Sequence, residues 1–305
     1  MILGAHIGIA DGLAQAPRTG RSIGCDAIQI FAKSPQMWAG PPLPASAAEE
    51  FRGAVRSEGL RATAVHHGYL INLASPKRPM LARSRTAFLD EIRRAELLGV
   101  NGLIFHPGAH LGSGRDAGLT TIAESLRRAL EAVPDGTVPL LLENAAGQGT
   151  ALCSTLEELA TVLSEVDAGP RVGVTLDTCH LFASGVAFGT EESYGALVDR
   201  IEDVLPAGAV RAFHLNDAKA ELGSHLDRHE NIGKGQIGLE GFRRLVNDPR
   251  WAEVPGYLET PLDDHGYDRY VEDLGSLRGL LGPPVGAAPA PPPARRTPRR
   301  ASTVK

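Results

Sequence analysis

Eight short apolar runs, each followed by a helix-like stretch, recur within 305 residues and predict an α/β fold of the (β/α)8 or TIM-barrel class. The runs are nearly continuous in Val, Ile and Leu, as strands buried on both faces of a parallel sheet must be. Glycine (35) and proline (22) are plentiful, which suits many short connections. An open doubly wound sheet shares the same alternation and is the alternative.

In chain order the strand-like runs are LGAHIGI (3–9), AIQIFA (27–32), ATAVH (62–66), GLIFH (102–106), PLLLEN (139–144), VGVTLD (172–177), VRAFHLN (210–216) and GYLET (256–260). Helical periodicity lies between them. SRTAFLDEIRRAELLG (84–99) is amphipathic and stops at Gly99. ESLRRALEAV (124–133) repeats the pattern, and STLEELATVLSEV (154–166) opens with a Ser/Thr cap and glutamates in its first turn. One barrel domain is expected over residues 1–281. The remainder, GPPVGAAPAPPPARRTPRRASTVK (282–305), is rich in Pro, Ala and Arg, has no apolar face to bury and is expected to be disordered. It is either a solubilising extension or a basic arm that holds DNA phosphates.

Hydrophobic content of 43% is that of a globular protein, and no run of 18 apolar residues offers a membrane span. The start MILGAHIGIADGL lacks a basic segment and reads as a buried first strand, not a signal peptide. Cys25, Cys153 and Cys179 are scattered and odd in number, so neither a disulfide framework nor a CxxC knuckle is present and a cytoplasmic location is expected. Nothing calls for an obligate assembly, so a monomer is expected. The net charge of −5 argues by itself against a nucleic-acid partner. Divalent cations held by several acids would reverse the local field, so bulk charge decides little.

The chemistry is positional. The third run ends at His66, the fourth at His106, the fifth at Glu143 and the sixth at Asp177 with His180 beyond; the seventh carries His214 and the eighth Glu259. The segment after the seventh adds Asp227 and His229. In a barrel all strand C-termini converge on one face, so these residues meet. A lone strand-end His is ordinarily a hydrogen-bonded structural residue. Glu143, Asp177 and Glu259 crowded into one low-dielectric mouth are another matter: they repel, and their pKa values are expected to rise unless cations neutralise them. Imidazole nitrogens with carboxylate oxygens suit zinc. Nine such residues exceed one tetrahedral shell and suggest two or three metals sharing a carboxylate. Metals about 3.5–4 Å apart clamp the attacking and leaving oxygens of a phosphodiester.

The segments GAHIGIADGL, HHGYLINLASP, FHPGAHLGSG, LLLENAAGQGT, VGVTLDTCHLFASG, FHLNDAK, DRHENIGKGQIG and YLET resemble the endonuclease IV family of apurinic/apyrimidinic endonucleases from Gly4 to about Leu281. The resemblance implies three zinc ions per chain. His66, His106 and Glu143 would hold one; Glu143, Asp177, His214 and Glu259 a second, with Glu143 bridging; His180, Asp227 and His229 a third, more exposed one. Glu143, as the bridge that positions the nucleophile, and Glu259 are the implied catalytic residues. The implied substrate is double-stranded DNA bearing an abasic site, cut 5′ to the lesion to leave a 3′-hydroxyl and a 5′-deoxyribose phosphate, a step of base excision repair. Adjacent His66 and His67 point to opposite faces of a strand, and the family's H-x-x-Y spacing to Tyr69 selects His66. His67 is then structural or solvent-facing, and His225 a phosphate-facing or surface residue.

Tyr69 and Leu70 match family positions that fill the gap left by a flipped nucleotide; the alternative is that YLINL starts the next helix and packs inside. Gln36, in AKSPQMW, departs from the Arg common in that motif, with Met37 beside it for apolar insertion. Arg228, Lys33, Lys219 and Lys234 are candidate phosphate contacts or ordinary surface charges. Two rivals share the sequence features. A sugar isomerase or epimerase would use a Glu, Asp, His, Glu set on the same fold but has no use for His66, His106, His180, Asp227 and His229. A non-catalytic damage-binding protein would have no need of the nine candidate ligands.

Overall fold

The computed structural model describes residues 1–282; the basic extension beyond Gly282 lies outside them. Eight parallel strands close into a barrel: β1 (Ile2–His6), β2 (Ala27–Phe31), β3 (Ala62–His66), β4 (Gly102–Phe105), β5 (Leu140–Glu143), β6 (Val172–Asp177), β7 (Val210–His214) and, after a two-stranded hairpin of β8 (Asp217–Ala218) and β9 (His229–Glu230), β10 (Pro255–Leu258). Neighbours follow chain order round the ring, and β10 closes it against β1. The barrel, not the open sheet, is the architecture. No described helix is long and apolar enough to cross a membrane.

Alternation along each strand sorts its side chains. Leu140 and Leu142 of β5, Leu103 and Phe105 of β4, Val65 of β3 and Phe213 of β7 join the large core between barrel and helices. Leu141, Ile104, Ala62, Ala64, Ala212 and Tyr257 instead fill the barrel interior at its N-terminal end. The interior is thus an apolar plug of alanines and branched aliphatic residues around one large ring. Continuing the inward parity by two residues gives His66, His106, Glu143, His214 and Glu259 above it.

The helical ring contains α1 (Gln15–Ser22), α2 (Ala45–Ser57), α3 (Arg78–Leu98), α4 (Arg115–Ala132), α5 (Leu156–Val166), α6 (Thr178–Ala183), α7 (Glu191–Val204), α8 (Leu239–Asn247) and α9 (Asp268–Leu280). Two helices begin earlier than periodicity indicates. In α3 Pro79 sits within the first two helical positions, where its missing N–H costs nothing, and Gly99 ends the helix at φ 64°. In α4 the start follows Gly114, with Asp116 complementing the dipole. Thr155 caps α5 by accepting from the Glu158 N–H at 3.3 Å.

Strands β1 and β2 approach closely at Gly4, where a Cβ would lie 2.0 Å from the Ala27 carbonyl oxygen. The obstacle is backbone and has no rotamer to yield. Gly4→Ala should therefore destabilise the barrel by about 3 kcal/mol, the upper end of overpacking costs. Urea unfolding checks this; a shift below about 0.5 kcal/mol, the scale of neutral surface changes, would contradict the close approach.

Candidate metal centre

The strand ends bring the nine candidate side chains together, as their spacing predicts. Glu143, at the end of β5, is fully buried. Its Oε2 lies 3.1 Å from His66 Nε2 and 3.5 Å from His106 Nδ1, while its Oε1 lies 2.9 Å from His214 Nδ1. One carboxylate thus divides its oxygens between two groups of histidines. His214 Nδ1 is also 3.5 Å from Glu259 Oε2 and 3.8 Å from Asp177 Oδ2. Asp227 reaches His180 Nε2 and His229 Nε2, each at 3.3 Å.

Local structure aims these groups. Asp177 ends β6 and caps α6, its Oδ1 accepting the His180 N–H at 2.8 Å, so one residue sets both the strand end and the direction of His180. The stretch between β8 and β9, which carries Asp227, is tied down from both sides. Buried Asp217 accepts N–H bonds from Ala218, Gly233, Gly235 and Ile237 at 2.8–3.1 Å. Asp273 of α9 accepts from the Ile232 N–H, Asn231 Nδ2 and the Thr260 hydroxyl at 2.6–2.9 Å. A Cβ at Gly235 would meet Asp217 Oδ1 at 2.5 Å, which explains the glycine.

The expected rise in carboxylate pKa is not what the cluster produces. Burial pushes Glu143 up, but the imidazoles of His106, His214 and His66 outweigh it and hold it well below the usual range. Glu259 behaves likewise beside His214, His6 and His66. In return, burial lowers His214, yet Glu259 and Glu143 raise it to about 9. The acids do not simply repel one another, because imidazoles are set among them. Such a cluster demands positive charge at its centre, from protons or from cations.

The donor set fits divalent cations. Among the described residues five groups have candidate ligand atoms within 4.8 Å of one another: the three that the family resemblance implies (His66, His106 and Glu143; Glu143, Asp177, His214 and Glu259; His180, Asp227 and His229), and also His66, His214 and Glu259, and Asp177, Cys179 and His229. The Nε2 atoms of His180 and His229 are buried and make no hydrogen bond, although both face Asp227. Buried polar atoms without partners call for an occupant. Cys179 lies near Asp177 and His229, but burial and Asp177 push its thiol up, and its Sγ faces the Arg228 carbonyl at 3.5 Å. It stays a neutral thiol outside the set.

His67 is buried and accepts the His106 backbone N–H at 2.8 Å, the structural outcome foreseen for it. Exposed His225 has a left-handed φ of 53° and sets its Nδ1 3.1 Å from the Ala146 carbonyl. Tyr69 (66%) and Leu70 (37%) are exposed, whereas Ile71 and Leu73 are buried, so YLINL splits between mouth and core ahead of α3. Gln36, Met37 and Arg228 are exposed. A Tyr69 N–H bond to the Pro35 carbonyl, 3.1 Å, joins the two loops that bear Tyr69 and Gln36. Lys33 is not a phosphate contact: it is buried, with Nζ 2.7 Å from Asp90 and 3.2 Å from Glu91, and serves as an internal ion pair. Lys219 and Lys234 remain exposed, the latter 3.6 Å from Glu272.

Two polar residues of the site escaped the sequence reading. His6 ends β1 and Gln29 lies inside β2; both share the inward parity of their strands, and that parity was the available signal. A cleft of about 500 Å³ opens over the cluster, walled by His6, Phe31, Tyr69, Leu262, Tyr267 and Tyr270 among others. The Gly8 N–H donates to the Tyr267 hydroxyl at 2.7 Å, fixing one wall.

Comparison with known proteins agrees. A family model described as a xylose isomerase-like TIM barrel matches residues 18–280. A probable endonuclease 4 of Geobacter sulfurreducens is 41% identical over 280 residues, covering 92% of this chain and 94% of that protein. The crystal structure of endonuclease IV from Thermus thermophilus superposes with a TM-score of 0.80 at 32% identity, over 92% of this chain and 98% of the other. A D-psicose 3-epimerase from Clostridium cellulolyticum, at a TM-score of 0.68 and 16% identity over 93% and 100% of the two chains, shares the fold alone. With barrel, strand-end cluster and relatives in accord, the chain belongs to the endonuclease IV family.

Proposed function

We propose that this chain is a DNA-repair endonuclease that hydrolyses the phosphodiester 5′ to an abasic site in double-stranded DNA, leaving a 3′-hydroxyl and a 5′-deoxyribose phosphate. Nine side chains would hold three zinc ions in the three groups implied by the family resemblance. The observation that carries the reading is Glu143, whose two oxygens face different histidine groups in a fully buried setting. When bound, such cations supply Lewis acidity at the phosphodiester and make hydroxide available near neutral pH.

The chain's own residues do the rest. Glu143 holds two groups in fixed relation, and Glu259 adds a second carboxylate facing His214. Asp227 is half exposed and places the outermost group at the cleft mouth, where a backbone phosphate enters. Phe31, Tyr267 and Tyr270 line the walls of the cleft. Tyr69 and Leu70 occupy the space vacated by an extruded abasic nucleotide, with Gln36 from the tethered neighbouring loop and Arg228 against the backbone. An abasic nucleotide has no base to unstack, so extruding it costs less than extruding an intact one. With this reading goes a cytoplasmic monomer acting on double-stranded DNA.

Metal analysis of the purified chain should give three zinc ions per chain; about one would fit an epimerase instead. Glu143→Gln should reduce incision of a single-site abasic duplex to background while far-UV circular dichroism stays native, and near-normal turnover would refute the bridging role. Tyr69→Ala should cost about 1–3 kcal/mol in preference for abasic over intact duplex, the scale of an aromatic stack on nucleic acid, with single-turnover cleavage at saturation little changed. An unaltered preference would remove Tyr69 from recognition.

A further inference from the structure

We infer that Gln29 is a positioning residue that fixes which ring nitrogen of His214 faces the cation site; this rests on the zinc-centre reading above. Gln29 is fully buried inside β2. One end of its amide lies 2.6 Å from Glu259 Oε1 and 2.9 Å from His6 Nδ1; the other lies 2.8 Å from His214 Nε2. An ionised carboxylate only accepts, so the end facing Glu259 is the NH2. The end facing His214 is then the carbonyl, which also only accepts. His214 Nε2 must therefore carry a proton, and Nδ1 is the nitrogen that can turn a lone pair towards Glu143, Asp177 and Glu259.

His214 differs from three of its neighbours in this respect, although His106 also turns Nδ1 towards Glu143, at 3.5 Å. His66 Nδ1 faces the His67 carbonyl at 2.8 Å, His180 Nδ1 the Asn144 carbonyl at 2.9 Å and His229 Nδ1 the Glu259 carbonyl at 3.1 Å. Each of those rings is oriented by main chain and presents Nε2 to the cluster. His214 is turned the other way, presents Nδ1, and depends on a side chain for that orientation. Partners that orient a metal-ligating histidine commonly affect metal affinity by about 10–100-fold. The same amide holds Glu259 Oε1, which leaves Oε2 on the His214 side, 3.5 Å from Nδ1. Gln29 thus orders two members of one ligand group at once.

The test uses the full-length chain loaded with zinc. Ring-nitrogen NMR of the 15N-histidine-labelled parent should show His214 protonated on Nε2 and coordinated through Nδ1, with His66, His180 and His229 reversed. Gln29→Met keeps much of the volume and removes the carbonyl; chelator competition should then show one of three ions bound roughly 10–100-fold more weakly, the other two as in the parent. Coordination of parent His214 through Nε2, or parental affinity for all ions in Gln29→Met, overturns the inference while the zinc centre stands. A parent chain that binds no zinc overturns both. The parent spectrum decides the point even if the variant does not fold.

Discussion

Everything at the top of this barrel answers to one electrostatic constraint. Glu143 and Asp177 are fully buried and Glu259 is partly buried, within reach of one another through the same histidine rings. An isolated carboxylate in such a place is costly, by several kcal/mol even after relaxation. The fold meets the constraint by setting imidazoles among the acids, whose oxygens come within 4.8 Å of one another around His214. That arrangement leaves the centre tolerant of multivalent positive charge and hostile to apolar contents. The apolar plug below it marks where the constraint ends.

The supporting structure is arranged around the same demand. The outermost pair, Asp227 and His229, comes from an excursion between two short strands, not from the rigid barrel. Two buried carboxylates that take no part in the cluster, Asp217 and Asp273, collect main-chain donors at its return and hold it. Their oxygens are met by hydrogen-bond donors and not by histidines. The fold therefore uses acids in two ways, some among the clustered histidines and others as anchors, and burial alone does not tell them apart. The partners do.

That distinction also separates what was legible in the sequence from what was not. Strand positions and the convergence of His66, His106, Glu143, Asp177, His214 and Glu259 follow from apolar runs and from the geometry of parallel strands. His180, Asp227 and His229 stood out as candidates beside the strand ends, but their grouping into a third metal position came only with the family pattern, because a short helix and the excursion from β8 to β9 have no comparable periodicity. Lys33 looked like any basic residue near a strand end, and only the packing of α3 reveals Asp90 and Glu91 around it. Gln29 was hidden for the opposite reason: it interrupts an apolar strand in mid-run, where a polar residue reads as noise until the barrel closes around it. The early starts of α3 and α4 were missed because Pro79 and Gly114 signal a break wherever they stand, whereas at a helix start they are permitted.

Asp177 serves as strand end, helix cap and member of the cluster, and Glu143 belongs to two groups at once. Shared membership of this kind makes the inheritance of the site all-or-nothing. A lineage that lost Asp177 would lose the aim of His180 along with a ligand, and intermediates with a partial set would gain little from what they kept. Divergence on this scaffold is then expected to proceed by wholesale replacement of the upper tier or by drift confined to the surrounding loops, with few half-converted descendants between.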